Sequence, residues 1–195
     1  MLRLPRILAL ILVSALLAAC DTPQPAPKFD EISFRDLPPI RLNVARIDVA
    51  NEYVMPFKDP NVEHQMPVAP GAAVERWAGD VLQAVGTVGS AVMVIHEAAV
   101  IEIKLKTKKG VSGLFHKEQS ERYEGRIRAS LIVRDADNRQ LAAVDAEAAR
   151  SQTVREDATP NERAVVWYRM TKSLLAEFDT TLRVQANRHL KAHMR

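Results

Sequence analysis

Trp167, Met170, Leu174, Phe178, Leu182 and Ala186 recur at spacings of three and four, which places them on one stripe of a helix. The residues ahead of them carry a start signal. Thr159 is placed as N-cap, Pro160 takes the first helical position, and Glu162 stands three after the cap, the spacing of a capping box. The pattern predicts a helix from Pro160 to about His189. A helix this long with one apolar stripe needs an apolar surface to lie on, so the rest of the chain must supply one.

The remaining patterns are mostly strands. Ile40-Arg-Leu42-Asn-Val44 alternates, and Ile47 and Val49 continue after a phase shift at Ala45, which reads as a strand with a bulge. Tyr53 to Pro70 is a loop carrying Pro56, Pro60, Pro67 and Pro70, and its length marks it as functional or mobile. Val74, Trp77, Ala78, Val81 and Val85 predict a helix over 71–85, stopped by Gly86. Ala91 to Ile95 suits a strand buried on both faces, prolonged by alternation to Leu105. Thr107 to Arg122 reads as a loop. Tyr123 to Arg134 is a strand with Ile127, Ala129, Leu131 and Val133 facing in, Asp135-Ala-Asp-Asn138 is a turn, and Arg139 to Val154 returns as an alanine-rich strand. The order strand-helix-strand-strand-strand-helix predicts an α+β fold: a mostly antiparallel four-stranded sheet with two helices on one face. The first strand-helix-strand unit is a candidate crossover.

With 195 residues and 47% apolar content the chain has enough material for a packed core without metal or disulfide staples. Its one cysteine excludes an internal disulfide framework. Of the net charge of +3, Arg3 and Arg6 supply two, so the remainder is close to neutral and has little general field to attract nucleic acid. An aromatic content of 5% also argues against a stacking platform for single strands.

The first twenty residues explain those two arginines. A short cationic start to Arg6 is followed by an apolar run from Ile7 to Leu17, then Ala18, Ala19 and Cys20. This is the pattern of an export signal over 1–19, and its apolar run is too short for a stable membrane span. Leu17-Ala18-Ala19-Cys20 closely resembles the lipobox of bacterial lipoproteins. In that family the cysteine thiol receives a diacylglycerol, the signal is cut before it, and the new N-terminus is often acylated too. Two or three acyl chains anchor stably where one does not. The alternative is a plain export signal that leaves a cysteine by chance; the solitary cysteine and its offset from the apolar run favour lipidation. Asp21 resembles an inner-membrane retention signal, and the outer membrane stays open. Pro23, Pro25, Pro27, Pro38 and Pro39 make 20–39 a lipidated cysteine with a proline-rich tether reaching up to roughly 50 Å. Phe29, Ile32 and Phe34 are candidates to dock part of it. A single domain follows over 40–195.

Motifs for chemistry are weak. His96-Glu97-Ala-Ala-Val100 misses the zinc-protease pattern at its last position and falls in a strand, and His189 and His193 lack a third ligand in a frayed tail, so no metal site is expected. Gly110-Val-Ser112-Gly113 is not a nucleophile elbow, and no glutamate spacing pairs two acids. Trp77 and Trp167 read as core. The expectation is no catalytic residue and no cofactor beyond the covalent lipid on Cys20. An envelope hydrolase using Ser112 or a glutamate pair is the last alternative.

One segment stands out by charge. Lys104, Lys106, Lys108, Lys109 and Lys117 surround Leu114 and Phe115 in a glycine-flanked tip. It reads either as a contact for anionic head groups or an acidic partner, which would make the chain a lipid- or anionic-polymer-binding domain acting through Lys104 to Lys117, or as a solvated hairpin whose lysines guard strand ends.

The lipobox, the proline-rich tether, the helix start Ala73-Val-Glu-Arg-Trp-Ala78, Arg126 to Val133 with its Asp135-Ala-Asp-Asn138 turn, and the helix from Pro160 together resemble the auxiliary lipoproteins of envelope ABC transporters and, more loosely, the lipopolysaccharide-assembly lipoprotein. The resemblance implies a non-catalytic accessory subunit in lipid or lipopolysaccharide transport, anchored to a bilayer, facing the periplasm and partnered by an envelope protein complex.

Overall fold

The computed structural model describes residues 27–106 and 119–195. Six strands and two long helices form in the order β1 (Ile40–Leu42), β2 (Arg46–Asn51), α1 (Pro70–Val81), β3 (Leu82–Ala84), β4 (Ser90–Lys104), β5 (Gln119–Arg134), β6 (Gln140–Arg155) and α2 (Pro160–His189). The main sheet has the order β2-β4-β5-β6. β4, β5 and β6 pair antiparallel, whereas β2 lies parallel to β4 from Arg46↔Ser90 to Asn51↔Ile95. The fold is therefore α+β with a mixed sheet, as a parallel edge needs the crossover that α1 provides.

The expected first strand is two strands in two sheets. The phase shift at Ala45 is not a bulge: Val44 N–H turns back to Leu42 O at 2.9 Å, and β1 leaves to pair with β3 in a small parallel sheet. For the same reason the first helix ends at Val81 rather than Val85, because Leu82 to Ala84 are taken up by β1. A bulge does occur in β4, at His96, between Ile95 and Glu97. It resets the alternation, so Ala98 and Val100 are buried while Ala99, Ile101 and Ile103 are only half-buried. β5 begins four residues before Tyr123, at Gln119.

Both helices cover one face. β5 sends Tyr123, Ile127, Ala129, Leu131 and Val133 into the core, and β6 sends Val144, Ala146 and Ala148. α2 meets them with Trp167, Met170, Leu174, Phe178, Leu182 and Ala186, all buried. Its capping box forms as the spacing requires, with Glu162 N–H donating to Thr159 Oγ1 at 3.2 Å and Thr159 N–H donating to Glu162 Oε2 at 2.8 Å. Trp77 of α1 packs edge-on against Phe178 at 5.2 Å and donates its indole N–H to Asp179 at 2.9 Å, fastening the two helices. Trp167 packs edge-on against Tyr123 at 5.4 Å. Each such ring pair contributes about 0.5–1.5 kcal/mol beyond its area. The end of the chain is packed, not frayed: Leu190 is fully buried, Lys191–His193 form a 3-10 turn, and Met194 bridges to Leu42.

The segment ahead of β1 is also packed. Ile32 and Phe34 are buried, Phe34 N–H donates to Asp80 of α1 at 2.9 Å, and Arg76 pairs with Glu31. Phe29 rests on Tyr168 of α2 at 5.1 Å, and the Tyr168 hydroxyl donates to Asp30 O. The strap from Phe29 to Leu37 thus belongs to the packed body.

Candidate functional site

Three places gather polar groups: the end of the β4–β5 hairpin, the uncovered face of the main sheet, and the strap. Of the residues that the charge pattern singles out, Lys104 and Lys106 stand exposed at the close of β4. Cys20, Lys108, Lys109, Leu114, Phe115 and Lys117 lie outside the described residues, as does Ser112.

The hairpin end is held by a half-buried acid. Glu121 sits opposite Lys104 in the ladder and is gripped by Arg163 of α2 in two bonds of 2.8 and 2.9 Å. It also accepts the Tyr123 hydroxyl at 2.5 Å. Burial alone raises a carboxyl; here the Arg163 guanidinium and the Tyr123 hydroxyl outweigh it and hold Glu121 below its ordinary value. Tyr123 is pushed up, first by burial and then by the Glu121 carboxylate.

Beyond the last residue of β2 the outer edge of β4 is taken over by the proline loop. Val62 N–H donates to Val100 O at 2.9 Å, and Glu102 N–H donates to Pro60 O at 2.8 Å. The fully buried Glu63 pins this arrangement from below. It accepts from the Tyr53 hydroxyl, Asn61 Nδ2 and Val100 N–H at 2.5, 3.1 and 3.2 Å. Three donors satisfy a carboxylate that has left water. Tyr53 is raised by burial first and by Glu63 second. The pinned loop carries its turn, with Val54, Phe57 and Lys58, out to the hairpin end. Val54 and Phe57 are 84% and 71% exposed. Phe57 has φ 54°, a left-handed conformation unfavourable for a bulky residue. Pattern reading singled out this loop only by length; Phe57 emerges from the register of Pro60 and Val62 on β4, which no local spacing reveals.

On the uncovered face the β4 bulge turns His96 toward Ser130. His96 Nε2 lies 2.7 Å from Ser130 Oγ, Ser130 Oγ lies 2.5 Å from Asp145 Oδ1, and His96 Nδ1 lies 3.4 Å from Glu52. A hydroxyl has one proton, and a carboxylate is a stronger acceptor than a neutral imidazole. Ser130 therefore donates to Asp145 and accepts from His96, an order opposite to that of an activated serine nucleophile. Arg126–Glu147 at 3.1 Å and Arg128–Glu97 at 3.7 Å continue the polar band beside it. Next to the band a shallow groove of about 430 Å³ runs over Ala99, Ile101, Arg126, Ala149 and Ser151. Among the described residues no group of three or more histidine, cysteine or acidic residues is placed to hold a metal ion.

No family model and no curated protein matches the chain. Among solved structures it is similar to a minor lipoprotein from Acinetobacter baumannii, with 16% identity, TM-score 0.38, 76% of this chain covered and 96% of that one. It is similar to the rare lipoprotein B of Shewanella oneidensis, with 9% identity, TM-score 0.37 and coverage of 73% and 94%. A PelC dodecamer from Paraburkholderia phytofirmans gives 11% identity, TM-score 0.21 and coverage of 72% and 91%.

Proposed function

We propose that this chain is a bacterial envelope lipoprotein, anchored through Cys20 and facing the periplasm, that acts as a non-catalytic accessory or binding subunit of a lipid or lipopolysaccharide transport or assembly system. The observation that carries the reading is the run Leu17-Ala-Ala-Cys20 behind a cationic start and an apolar stretch, nine residues upstream of the Phe29 contact where the packed body begins. No helix among the described residues is long and apolar enough to cross a membrane. The groups best suited to acid–base work support the non-catalytic half, because they are engaged in structure: Glu63 by three donors, Glu121 by Arg163, and Ser130 by Asp145. Asp21 leans the location toward the inner membrane.

Intact-mass analysis of the mature protein is expected to find Cys20 at the N-terminus carrying a diacylglyceryl group. Cys20→Ser is expected to leave the membrane fraction. A Cys20→Ser chain that is matured and retained as the parent is would overturn the anchor. Crosslinking of the native lipidated protein followed by purification is expected to recover permease or assembly components; recovery of none across several detergents would count against the accessory role.

A further inference from the structure

The lysines of the described chain are unevenly placed. Lys28 lies beside Phe29, Lys58 is on the turn carried by the proline loop, Lys104 closes β4 and Lys106 follows it, and all four are exposed. Lys172 stands on the first half of α2, and Lys191 lies past its far end. The cations of the ion pairs described above are instead arginines, closed on Glu121, Glu147, Glu97 and Glu31. Arginine's fork suits fixed bidentate pairing, whereas lysine presents a hydrated point charge to solvent.

The same end shows apolar surface. Val54 and Phe57 project from a turn that the bonds of Val62, Glu102 and Glu63 hold against β4. A bulky residue kept at φ 54° is a cost that the surrounding bonds must sustain, and such positions gather where a side chain is being presented. Asp59 and Glu156 are exposed there too, so charge alone does not define the surface. An exposed aromatic between lysines has the composition of an interfacial contact: the ring enters the head-group layer while the ammonium groups meet phosphate.

The way the chain arrives agrees with this. Tyr168, which holds Phe29, is five residues past Arg163, about 7.5 Å along α2 from the Arg163–Glu121 pair. Phe29 lies nine positions past Cys20, a reach of at most about 30 Å. The packed strap therefore begins toward the hairpin end, while the turn at Asp135–Asn138 and the exposed Val88 lie at the opposite end of β4, about 50 Å away.

We infer that the hairpin end is a bilayer-contact surface, with Phe57 and Val54 entering the interface and Lys28, Lys58, Lys104 and Lys106 meeting the phosphates of anionic phospholipids. The inference rests on lipidation of Cys20 for its orientation, and on the loop geometry for its chemistry. Its test uses the full mature protein on phosphatidylethanolamine–phosphatidylglycerol vesicles with brominated acyl chains. Phe57→Trp and Val88→Trp are each exposed reporters, set against Trp77 and Trp167, which are buried. Quenching at position 57 is expected to exceed that at 88 by about threefold or more, because bromine quenches only rings at acyl-chain depth. Lys58→Gln, Lys104→Gln and Lys106→Gln together are expected to abolish the preference for anionic over zwitterionic vesicles. Equal or stronger quenching at 88 overturns the inference; if intact mass also shows the lipid on Cys20, the anchor itself stands. If mass shows a free thiol, the anchor falls, and quenching at 57 on added vesicles still decides: present, the surface stands alone; absent, it falls too.

Discussion

Gly125 shows how one atom sets the spacing of helix and sheet. A Cβ built there would lie 2.6 Å from Leu174 Cδ1 and 2.8 Å from Met170 Cε, so α2 rests on β5 where a side chain is missing. Gly125→Ala forces the flexible ends of both side chains to give way and is expected to destabilise the protein by about 1 kcal/mol, measured by urea unfolding. Asp80 and Glu121 contribute to the acid response, beside Asp135 and Glu162, which are also held below their ordinary values. Asp80 is held below its ordinary 3.8, chiefly by the Phe34 N–H, and Glu121 below its ordinary 4.5 by Arg163 and Tyr123 against the opposing effect of burial. Their folded values are depressed, so the stability they contribute is complete above those ordinary values and drains as the pH falls through the lower folded ones. The urea midpoint is expected to drop between pH 5 and pH 3, and by less in Glu121→Gln. An unchanged slope in that variant would remove Glu121 from the account.

Among the elements, those legible in the sequence were the ones whose reasons are local. α2 runs from Pro160 to His189 because its cap, its proline and its stripe act within one segment. β6 and its turn were legible from Asp135-Ala-Asp-Asn138 and the strand that follows. What stayed hidden depends on distant partners. Leu82 to Ala84 continue a helical pattern, yet β1 claims them across some forty residues. Leu190 looks like a fraying end until it is buried, with Met194 bridged to β1. The strap sits between the two cases: Phe29, Ile32 and Phe34 were candidates to dock, but the acceptor for Phe34 N–H is Asp80, which no spacing could name. Phe34→Ala is expected to cost about 2–3 kcal/mol, less than a central core truncation because the strap can release without opening the sheet. Limited proteolysis checks it: new cuts are expected between Ile32 and Leu37, whereas the parent resists cleavage there.

For the whole molecule, the candidate site was half legible. Lys104 and Lys106 are legible through charge, but bringing Phe57 and Lys58 to the same end needs the proline loop laid against β4, a relation between segments about forty residues apart. The sheet's other margin has its own meaning. β6 runs for sixteen residues without a proline, has β5 beside it among the described residues, and carries alanines at five positions. An outward backbone of that length is a template for a further strand. If Cys20 carries the proposed lipid, copies share one leaflet and diffuse in its plane, and copies standing the same way up present these margins to one another at a common height. Lateral self-association would then follow the number of molecules per area of bilayer, and dilution in bulk would leave it untouched.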